Sequence, residues 1–575
     1  MDQKDAEALV PCASGTTAIF KTGQWSPKKP FYMEKASPCR EACPAGTDIP
    51  RLLSFAAKGD FDSALELILQ ENPFPGVCGR VCYHPCQSAC NRGQFDEEVQ
   101  IRSLERAAAK YGSGAPHMIS TSGYRPQKIA IIGSGPAGLS CAYFLARFGH
   151  KVNVFEKRKE VGGVLRFGIP RYRLPKDVLR RETDRILSLG INLKCAVTVD
   201  RKVLETINSE HDALFLSAGA WSPRRSGAQN ENSRDVLYGL DFLADRNKGS
   251  KYQKKKRILV VGGGDVAVDV ARTALRVCAP GVKVTMVAPE APEEFPAIAE
   301  SIEEAREEGI EMIGGYRPVE FKKTGRLQHI RMIRTKVRKD PQTGIYKMLS
   351  ARGQDLVVDA DLAIVSIGQI PETDFLGDGL FERESNRIYV NEFGMTPAER
   401  IDAGGDMIRQ RPAVVDAIAS GKRAALAIHV DALGGTHEAT IHPLRIGAGS
   451  SLSIQAYIEN GQVDIKRVIQ FAELNTLVYR RTAPHSGKKA VPLSRIRGFD
   501  EVRKGLEKAD AIEEAKRCFN CGRCVQCDLC FLLCPDISIM KIDDNRYEVN
   551  ADYCKGCSVC AATCPRHVIE MRDGR

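Results

Sequence analysis

The sequence predicts an α/β protein with two doubly wound units and a small cysteine-bearing domain appended at each end. From residue 128 onward, short β-branched runs alternate with helical patterns, which is typical of a parallel sheet. A glycine-rich turn follows a predicted strand twice, after residue 132 and after residue 261. The cysteines are clustered, with six between residues 39 and 90 and ten between residues 518 and 564. Because one hydrophobic core rarely organises 575 residues, we expect several domains.

The bulk composition argues against several classes of protein. With 43% hydrophobic and 27% charged residues, the chain resembles an ordinary globular protein. The net charge of +11 arises from 83 basic and 72 acidic residues spread along the chain, so we expect no nucleic-acid partner. No run of about 18 apolar residues occurs, so we expect no membrane span. Twenty cysteines without a secretory signal segment indicate a reducing cytoplasm, where spaced cysteines hold metal.

The first glycine-rich turn has the sequence context of a dinucleotide site. The predicted strand Lys128–Ile132 precedes Gly133-Ser-Gly135-Pro-Ala-Gly138, and a predicted helix runs from there to Phe148. Glycine removes Cβ atoms where the backbone turns sharply and approaches a pyrophosphate at the helix N-terminus. Glu156 closes the next strand, where a carboxylate accepts hydrogen bonds from a ribose diol. The predicted cofactor-binding residues here are Gly133, Gly135, Pro136, Ala137, Gly138, Glu156 and Lys157.

The second turn repeats this pattern. The predicted strand Arg257–Val261 leads into Gly262-Gly-Gly264-Asp-Val-Ala267 and a helix through Arg276, with alanine as a known variant of the third glycine. Two dinucleotide sites in one chain indicate FAD and a nicotinamide dinucleotide. The predicted residues of the second site are Gly262, Gly264, Asp265, Val266 and Ala267.

The end of the following strand predicts the preference between NADH and NADPH. A 2′-phosphate would need arginine or lysine there, and the sequence from Thr285 to Glu290 contains neither. Glu290 would also repel a phosphate. We therefore expect NADH rather than NADPH, unless a basic residue distant in sequence folds over the site.

The C-terminal cysteines repeat the pattern of a bacterial two-cluster ferredoxin. The spacing C-x2-C-x2-C-x3-C-P occurs twice, and in this pattern the fourth cysteine of each run ligates the other cluster. A zinc site is the weaker alternative. Cys518 and Cys521 extend the spacing upstream and would allow a shifted register, but Pro535 argues against that shift. Packing cysteines, or a lead-in without a metal role that spacing defines, are the alternatives for this pair. The predicted ligand sets are Cys524, Cys527, Cys530 with Cys564, and Cys554, Cys557, Cys560 with Cys534.

The N-terminal cysteines are less regularly spaced. They form the pair Cys39-x3-Cys43 and a run with three residues between successive cysteines, and this spacing alone accounts for one cluster. The run consists of Cys78, Cys82, Cys86 and Cys90.

The order of motifs resembles the small (β) subunit of glutamate synthase and its relatives, which include part of dihydropyrimidine dehydrogenase. The resemblance extends over residues from about 35 to 435. Its segments are Asn72-Pro-Phe-Pro-Gly-Val-Cys-Gly-Arg-Val-Cys82, Gly162-Gly-Val-Leu-Arg-Phe-Gly-Ile-Pro170, Tyr172-Arg-Leu-Pro-Lys176, Leu216-Ser-Ala-Gly-Ala220, Ile367-Gly-Gln369 and Ala403-Gly-Gly-Asp406.

This resemblance implies that the nicotinamide domain is inserted between two halves of the FAD domain. It implies that the stretch from Gly162 to Pro170 passes the isoalloxazine ring and that Asp406 binds FAD through its loop; helix capping is an alternative role for Asp406. Relatives that use NADPH carry two arginines where this chain has Val287 and Ala288. The further cofactor-binding residues implied are Gly163, Val164, Leu165, Gly168, Ile169, Ala218, Gly219, Gly368 and Gly405.

The resemblance also implies two N-terminal clusters. Six cysteines cannot supply eight ligands, and the cysteines that relatives place before Cys39 have no counterpart between Phe31 and Ser37. By alignment with a glutamine or glutamate ligand of relatives, Glu105 is a candidate, with a solvated helical carboxylate as the alternative. The number of N-terminal clusters therefore stays at one or two.

With these motifs the predicted domain boundaries follow. They are a helical N-terminal iron–sulfur domain with a linker (1–125), the first part of the FAD domain (126–245), the NAD domain (246–364), the second part of the FAD domain (365–435), a connecting segment (436–510) and an α+β ferredoxin-like domain (511–575).

The predicted function is electron transfer in a cytoplasmic multi-subunit complex. NADH gives a hydride to FAD, and single electrons leave through clusters to a ferredoxin or a partner such as a 2-oxoacid:ferredoxin oxidoreductase, or the reverse. No side-chain acid or base is required. One alternative is an NADPH-oxidising small subunit of a glutamate synthase-like complex, and another is a relay subunit that is not an enzyme. Disulfide reduction is disfavoured, because neither dinucleotide unit carries a CxxC pair.

Overall fold

The computed structural model describes residues 21–119, 125–245, 252–339, 346–351, 353–377, 379–383, 385–459, 463–543 and 546–574. The first twenty residues and part of the predicted linker lie outside this range. Within it, no helix is long and apolar enough to cross a membrane.

The N-terminal region is helical, as predicted. Asp48 and Asp60 begin two of its helices by accepting hydrogen bonds from the backbone N–H groups of Arg51 and Ser63. The helices bury a common apolar face that includes Leu53. The elements are β1 (Lys28–Tyr32), β2 (Lys35–Ala36), α1 (Pro38–Ala42), α2 (Ile49–Ala57), α3 (Phe61–Glu71), α4 (Pro75–Val81), α5 (Pro85–Ser88) and α6 (Ile101–Tyr111).

The first doubly wound unit begins at the first glycine-rich turn. Its strands are almost fully buried apolar runs, as expected when helices cover both faces of a parallel sheet. The elements of its first part are β3 (Lys128–Ile132), α7 (Pro136–Arg147), β4 (Lys151–Glu156), α8 (Gly163–Phe167), α9 (Lys176–Leu187), β5 (Asn192–Cys195), α10 (Arg201–Glu210), β6 (Ala213–Leu216) and β7 (Ala220–Pro223).

The second doubly wound unit follows and adds an antiparallel layer formed by β12 to β15. Its elements are β8 (Val236–Tyr238), α11 (Gly239–Asp245), β9 (Arg257–Val261), α12 (Asp265–Val277), β10 (Lys283–Ala288), α13 (Ala299–Glu307), β11 (Glu311–Gly314), β12 (Tyr316–Thr324), β13 (Arg326–Lys339), β14 (Tyr346–Ser350), β15 (Leu356–Asp359) and β16 (Leu362–Val365).

The chain then returns to the first unit. The first sheet has the order β18-β6-β3-β4-β5 and the second β11-β10-β9-β16-β8, and neighbouring strands in both are parallel. Because the whole second sheet lies between β6 and β18 in the sequence, the implied insertion is confirmed. The returning elements are β17 (Gln369–Pro371), β18 (Ile401–Ala403) and α14 (Val414–Ala432).

The segment after α14 joins the other domains, although its sequence carries no recognisable motif. It pairs β19 with β2 of the N-terminal region, and Arg495 bonds to Glu307 of the second unit at 2.6 Å. The connecting segment therefore contributes to both neighbours. Its elements are α15 (His437–Ile441), α16 (Ile454–Glu459), β19 (Asp464–Val468) and α17 (Pro492–Arg495).

The C-terminal domain contains two similar cysteine-bearing halves. Its last strand pairs antiparallel with β1, so that Lys28 lies opposite Asp573. An N-terminal strand thus completes the C-terminal domain, a contact that the sequence did not predict. The elements are α18 (Lys508–Lys516), α19 (Leu529–Leu532), β20 (Ile539–Asp543), β21 (Arg546–Val549), α20 (Val559–Thr563) and β22 (Ile569–Asp573).

Candidate functional site

A cavity of about 500 Å³ opens at the carboxyl ends of the first sheet. Ligands of open α/β sheets bind at this edge. The cavity is within the usual size range of small-molecule sites. The structure brings most of the predicted flavin-site residues to its walls. These residues are Gly133, Gly135, Pro136, Ala137, Glu156, Lys157, Gly163, Val164, Leu165, Ala218, Gly219, Gly405 and Asp406.

The first glycine-rich turn has the geometry that a pyrophosphate needs. Gly133 has φ +100°, and a Cβ there would lie 2.5 Å from the backbone oxygen of Ser217. A Cβ on Gly135 would meet no atom within 4 Å, although this residue lines the cavity. Gly133 is therefore required by the protein, whereas the space beside Gly135 is open to a ligand.

Glu156 lies where the sequence placed it, at the carboxyl end of β4. Its side chain accepts hydrogen bonds from the backbone N–H groups of Ser134 (3.0 Å) and Arg158 (2.7 Å). These donors hold the carboxylate at the cavity wall, where it can also accept from ribose hydroxyls. The contact with Ser134 was not predicted, because hydrogen bonds across a turn leave no trace in residue spacing.

Asp406 lines the cavity rather than capping a helix. It lies inside the short 3-10 helix Gly405–Met407, whose cap residue is Gly404. Burial raises the pKa of the Asp406 carboxyl, and the nearby Arg387 guanidinium opposes that rise. Arg387 also donates to the backbone oxygen of Asp406 at 3.0 Å. The loop therefore presents a partly buried carboxyl to the flavin cavity.

Four predicted residues lie outside the cavity walls. A Cβ on Gly138 would be 2.0 Å from the oxygen of Gly133, so this glycine allows the helix to pack on its own turn. Gly168 and Ile169 end α8 by donating to the backbone oxygen of Val164. Gly368 has φ +107°, and its oxygen accepts from the N–H of Arg224. These four support the turns and helices that form the site.

Residues that the sequence did not single out complete the wall. Trp221 lines the cavity, and the Arg158 guanidinium lies 4.3 Å from its ring centre. Arg158 also stacks on Phe167 at 4.4 Å. No spacing signal marks such a stack, because its three members come from different elements.

The second glycine-rich turn reproduces the first. Gly262 has φ +137°, and a Cβ there would lie 2.4 Å from the oxygen of Ser366. A Cβ on Gly264 would meet nothing within 4 Å. Ala267 is fully buried on α12. Asp265, the first residue of α12, accepts from the N–H of Ile298 at 3.3 Å, and Val266 follows it. The turn is thus preformed for a second dinucleotide.

Glu290 follows β10, at the position where a 2′-phosphate would have to be accommodated. Burial raises the pKa of its carboxyl, and the nearby Glu294 adds to the rise. The acidic residue that the sequence singled out thus lies at this strand end, and Arg306 of α13 donates to the backbone oxygen of the nearby Pro292 at 3.5 Å.

Two small cavities in the C-terminal domain bring together the two predicted ligand sets. Each cavity contains three cysteines from one run and the fourth from the other run. The Cys534 sulfur also accepts from the backbone N–H of Ser538 at 3.4 Å, a contact that would tune the potential of a cluster bound there. Cys524, Cys527, Cys530 and Cys564 line one cavity; Cys534, Cys554, Cys557 and Cys560 line the other.

Glu105 lies beside the N-terminal cysteines. Burial raises its pKa to about 8, and the carboxylate of Glu182 adds to this shift. Asn72 donates to Glu105 at 2.9 Å. Burial also raises the pKa of the nearby thiols, and the Glu105 charge contributes at each of them, so the alternative of a solvated carboxylate does not fit. These thiols are Cys43, Cys78, Cys82 and Cys86.

The remaining N-terminal pair, Cys39 and Cys90, forms a second set beside the first. Burial raises the pKa of Cys39, and the Cys90 thiol adds to the rise. Every cysteine that the structure describes is a free thiol. In the same part of the chain, no three His, Cys, Asp or Glu side chains converge on a single metal ion. Four irons occupy separate corners of a cubane, each with its own thiolate, so cluster ligands need not converge in that way.

Contacts join this cysteine region to the flavin cavity, and one apolar cluster contains Cys78 and Cys82 as well as the cavity residues Ala137 and Leu165. Tyr83, next to Cys82, lies under the Arg411 guanidinium at 3.9 Å from the ring centre. Pro412 and Ala413 follow Arg411 and line the cavity. The N-terminal thiols and the cavity therefore share a wall.

Comparisons with known proteins agree with this arrangement. Residues 127–421 match the family model described as pyridine nucleotide-disulphide oxidoreductase. Residues 33–115 match dihydropyrimidine dehydrogenase domain II, 4Fe-4S cluster. The match to the first model covers more than half of the 575 residues.

Three curated relatives extend the picture. The glutamate synthase [NADPH] small chain of Escherichia coli K12 is 33% identical over 71% of this chain and 91% of its own length. The NADP(+)-dependent formate dehydrogenase subunit beta of Moorella thermoacetica is 31% identical over 86% and 71%. The NADPH-Fe(3+) oxidoreductase subunit beta of Geobacter sulfurreducens is 29% identical over 86% and 76%.

The resemblance inferred from the motifs is thereby confirmed. The fold, the dinucleotide turns and the cysteine-bearing N-terminal domain are those of an FAD and iron–sulfur oxidoreductase that depends on NAD(P)H. The chain belongs to the pyridine nucleotide-disulphide oxidoreductase family, in the group related to the glutamate synthase small chain.

Proposed function

We propose that the chain oxidises NADH at the second dinucleotide turn, reduces FAD in the first cavity and passes single electrons through [4Fe–4S] clusters to a partner protein. The contact of Tyr83 with Arg411 carries this proposal, since it places the N-terminal thiols at the wall of the flavin cavity. Electron transfer in the reverse direction, from the partner protein to the nicotinamide, would use the same path.

The cofactors supply the redox chemistry, and the protein supplies position. Bound FAD accepts a hydride and gives up its electrons one at a time. Gly135 and Gly264 leave open space for the two pyrophosphates at the N-termini of α7 and α12. Glu156 and Asp406 hold carboxyl groups where FAD hydroxyls can bind. No side chain is needed to move a proton.

The preference for NADH rests on the acidic end of β10. Glu290 and Glu294 lie close together, and both would repel a 2′-phosphate. The names of the relatives given above specify NADP(+) or NADPH. The alternative proposal is therefore that this chain also uses NADPH.

An external redox partner is supported by the surface of the C-terminal domain. Cys527 and Cys557 are exposed at the two cluster cavities. Leu532 and Ile537 near them are 69% and 79% exposed, and exposed apolar side chains beside a redox centre favour protein docking. The occupant we propose is a ferredoxin or a redox subunit such as a 2-oxoacid:ferredoxin oxidoreductase. Similar proteins are themselves described as subunits, which supports a hetero-oligomer.

Anaerobic rapid mixing with NADH distinguishes an enzyme from a relay subunit. Flavin absorbance should bleach and be followed by the spectra of reduced clusters. The variant Gly264→Ala should keep its FAD and bleach more slowly at low NADH, because the added methyl occupies the pyrophosphate approach. A matched control is Gly498→Ala, where a Cβ also meets nothing within 4 Å but no nucleotide turn is near. Flavin that stays oxidised for minutes with both NADH and NADPH would favour the relay function instead.

A further inference from the structure

The cysteine pair upstream of the ferredoxin motif lies against the N-terminal domain. Helix α18, which ends just before Cys518, packs into the same apolar cluster as α2 through Ala511 and Ala515. Arg517 donates to the backbone oxygens of Glu97 (2.8 Å) and Glu98 (3.2 Å). These contacts fix the start of the C-terminal domain on the loop that follows Cys90.

Four thiols from distant parts of the sequence meet at this junction. Cys39, Cys90 and Cys518 pack in one cluster. Asn91, the neighbour of Cys90, donates to the Cys521 sulfur at 3.5 Å. Because Asn91 follows Cys90 directly, this hydrogen bond places Cys521 beside the cluster that holds the other three thiols. The four cysteines therefore surround one junction.

Each of these sulfurs has polar contacts of the kind that metal thiolates use. Ser37 lies 3.0 Å from the Cys39 sulfur, and the backbone N–H of Asn520 donates to Cys518 at 3.3 Å. Backbone N–H groups of Arg92, Gly93 and Val99 are directed at the Cys90 sulfur. Donors aimed at sulfur stabilise thiolates and tune a cluster's potential.

Including this pair supplies the full number of ligands. Two N-terminal clusters need eight ligands, and the six N-terminal cysteines together with Cys518 and Cys521 supply eight without Glu105. A cluster bound by Cys39 and Cys90 needs two further ligands. Cys518 and Cys521 have the x2 spacing that lets two thiolates reach adjacent corners of one cubane. The other set then consists of four thiols, with Glu105 as a neighbouring carboxyl; these thiols are Cys43, Cys78, Cys82 and Cys86.

We propose that a [4Fe–4S] cluster is bound at this junction by two cysteines from the N-terminal domain and two from the start of the C-terminal domain. The ligands are Cys39, Cys90, Cys518 and Cys521. The assignment rests on the iron–sulfur part of the proposed function and is independent of which nicotinamide reduces the flavin.

The position of this cluster connects the two ends of the molecule. Tyr479 packs on Phe519 with ring centres 4.3 Å apart and donates to its backbone oxygen. Burial raises the pKa of Tyr479, and the thiols of Cys521, Cys518 and Cys527 contribute. Tyr479 is therefore near both the junction and the first ferredoxin cavity. On the other side, Cys86 lies near both Cys43 and Cys39. Each transfer along this row oxidises one cluster by one electron and reduces the next by one.

Iron and acid-labile sulfide content of the full-length holoprotein tests the assignment. Cys518→Ala and Cys521→Ala should each lose about four irons and four sulfides per chain relative to wild type, with one cluster signal missing from the EPR spectrum of the reduced protein. Flavin content should be unchanged. Cys195→Ala is the matched control, because Cys195 is a partly buried thiol on β5, distant in sequence from both cysteine regions.

Double variants separate one shared cluster from general unfolding. Cys39→Ala with Cys518→Ala should lose no more than about four irons, because both residues serve one cluster, whereas Cys43→Ala with Cys518→Ala should lose about eight. Should the alanine variants lose their flavin, Cys521→Ser provides the second test, since its oxygen can still bind iron and should shift one EPR signal.

Two results would overturn the proposal. One is iron, sulfide and EPR signals of Cys518→Ala and Cys521→Ser that equal those of Cys195→Ala, which would make the pair packing cysteines. The other is the loss of about one zinc per chain with unchanged sulfide, which would make the junction a four-cysteine zinc site.

Discussion

The two cysteine-bearing regions hold similar chemistry but are built in opposite ways. In the C-terminal domain, all eight predicted ligands lie between residues 524 and 564, and a regular repeat places them around two cavities. In the N-terminal region, the candidate ligands come from several helices, and two of them come from beyond residue 510. Residue spacing alone thus identifies the C-terminal ligands, whereas the N-terminal ligands can be identified only from the tertiary fold.

The two regions also depend on the rest of the chain to different degrees. The cysteine-bearing halves of the ferredoxin-like domain are joined to the rest of the chain by the strand β1 and by hydrogen bonds to Glu34 and Lys35 beside it. The N-terminal region is held by α14 of the flavin unit, by the connecting segment and by α18. We therefore expect changes far from any cysteine to affect the N-terminal clusters more than the C-terminal ones.

The largest expected effect is the selective loss of a cluster. Cys530→Ala should remove about four irons and one C-terminal EPR signal, and Cys43→Ala should remove the same amount and one N-terminal signal. Neither change should affect the other region, because no ligand is shared between them. If Cys530→Ala abolished both N-terminal signals, the regions would not be independent and the comparison would fail.

The second-largest expected effect comes from removing the buried ion pair that joins the N-terminal region to α14. Lys422 on α14 and Glu71 on α3 form an ion pair at 2.8 Å with both side chains 1% exposed. Lys422→Met leaves the Glu71 carboxylate buried without its cation, which costs about 3–5 kcal/mol. Urea unfolding followed through flavin and cluster absorbance should show this loss, with the N-terminal signals disappearing first.

The control for that experiment is Lys58→Met, which removes an exposed lysine from the same region. Its unfolding midpoint should stay close to wild type, because surface substitutions change stability by about 0.5 kcal/mol or less. Equal midpoints for Lys422→Met and wild type would show that the buried pair does not anchor the region.

The next effect is weaker FAD binding in a variant whose fold should be unchanged. A Cβ on Gly135 meets no protein atom, so Gly135→Ala should fold normally and weaken FAD binding by about tenfold or more through contact with the pyrophosphate. The flavin-to-protein ratio after dialysis measures this directly. A full complement of FAD in the variant would place the pyrophosphate elsewhere.

The smallest expected effect concerns the choice of nicotinamide. Glu290→Gln removes one negative charge at the end of β10, and the specificity constant for NADPH should rise by several-fold relative to that for NADH. Steady-state rates with a viologen dye give both constants, and Glu303→Gln on α13 is the control. A wild-type protein that already prefers NADPH would contradict our interpretation of this strand end.

Much of this molecule could be predicted from its sequence, because its main features are local. A strand, a glycine turn and a helix are adjacent in sequence, so residue spacing alone could place Gly133 and Gly262 in their turns and Glu156 at its strand end. The ferredoxin repeat likewise specified its own exchanged ligands. The inserted unit followed from resemblance rather than from spacing.

What could not be predicted depends on long-range contacts. The pairing of β1 with β22, the stack of Arg158 on Trp221 and the contact of Tyr83 with Arg411 each join residues far apart in sequence or on separate elements. For Cys518 and Cys521 a signal did exist. Their x2 spacing matched a cluster motif, and the missing cysteines before Cys39 left a gap of the same size.

The iron and acid-labile sulfide content of anaerobically purified wild-type protein decides whether electrons can leave the flavin through the N-terminal region. Four clusters predict about sixteen irons and sixteen sulfides for each FAD. A value of about eight would mean that the C-terminal domain alone carries clusters, and it would contradict the electron path from the flavin cavity through the N-terminal region.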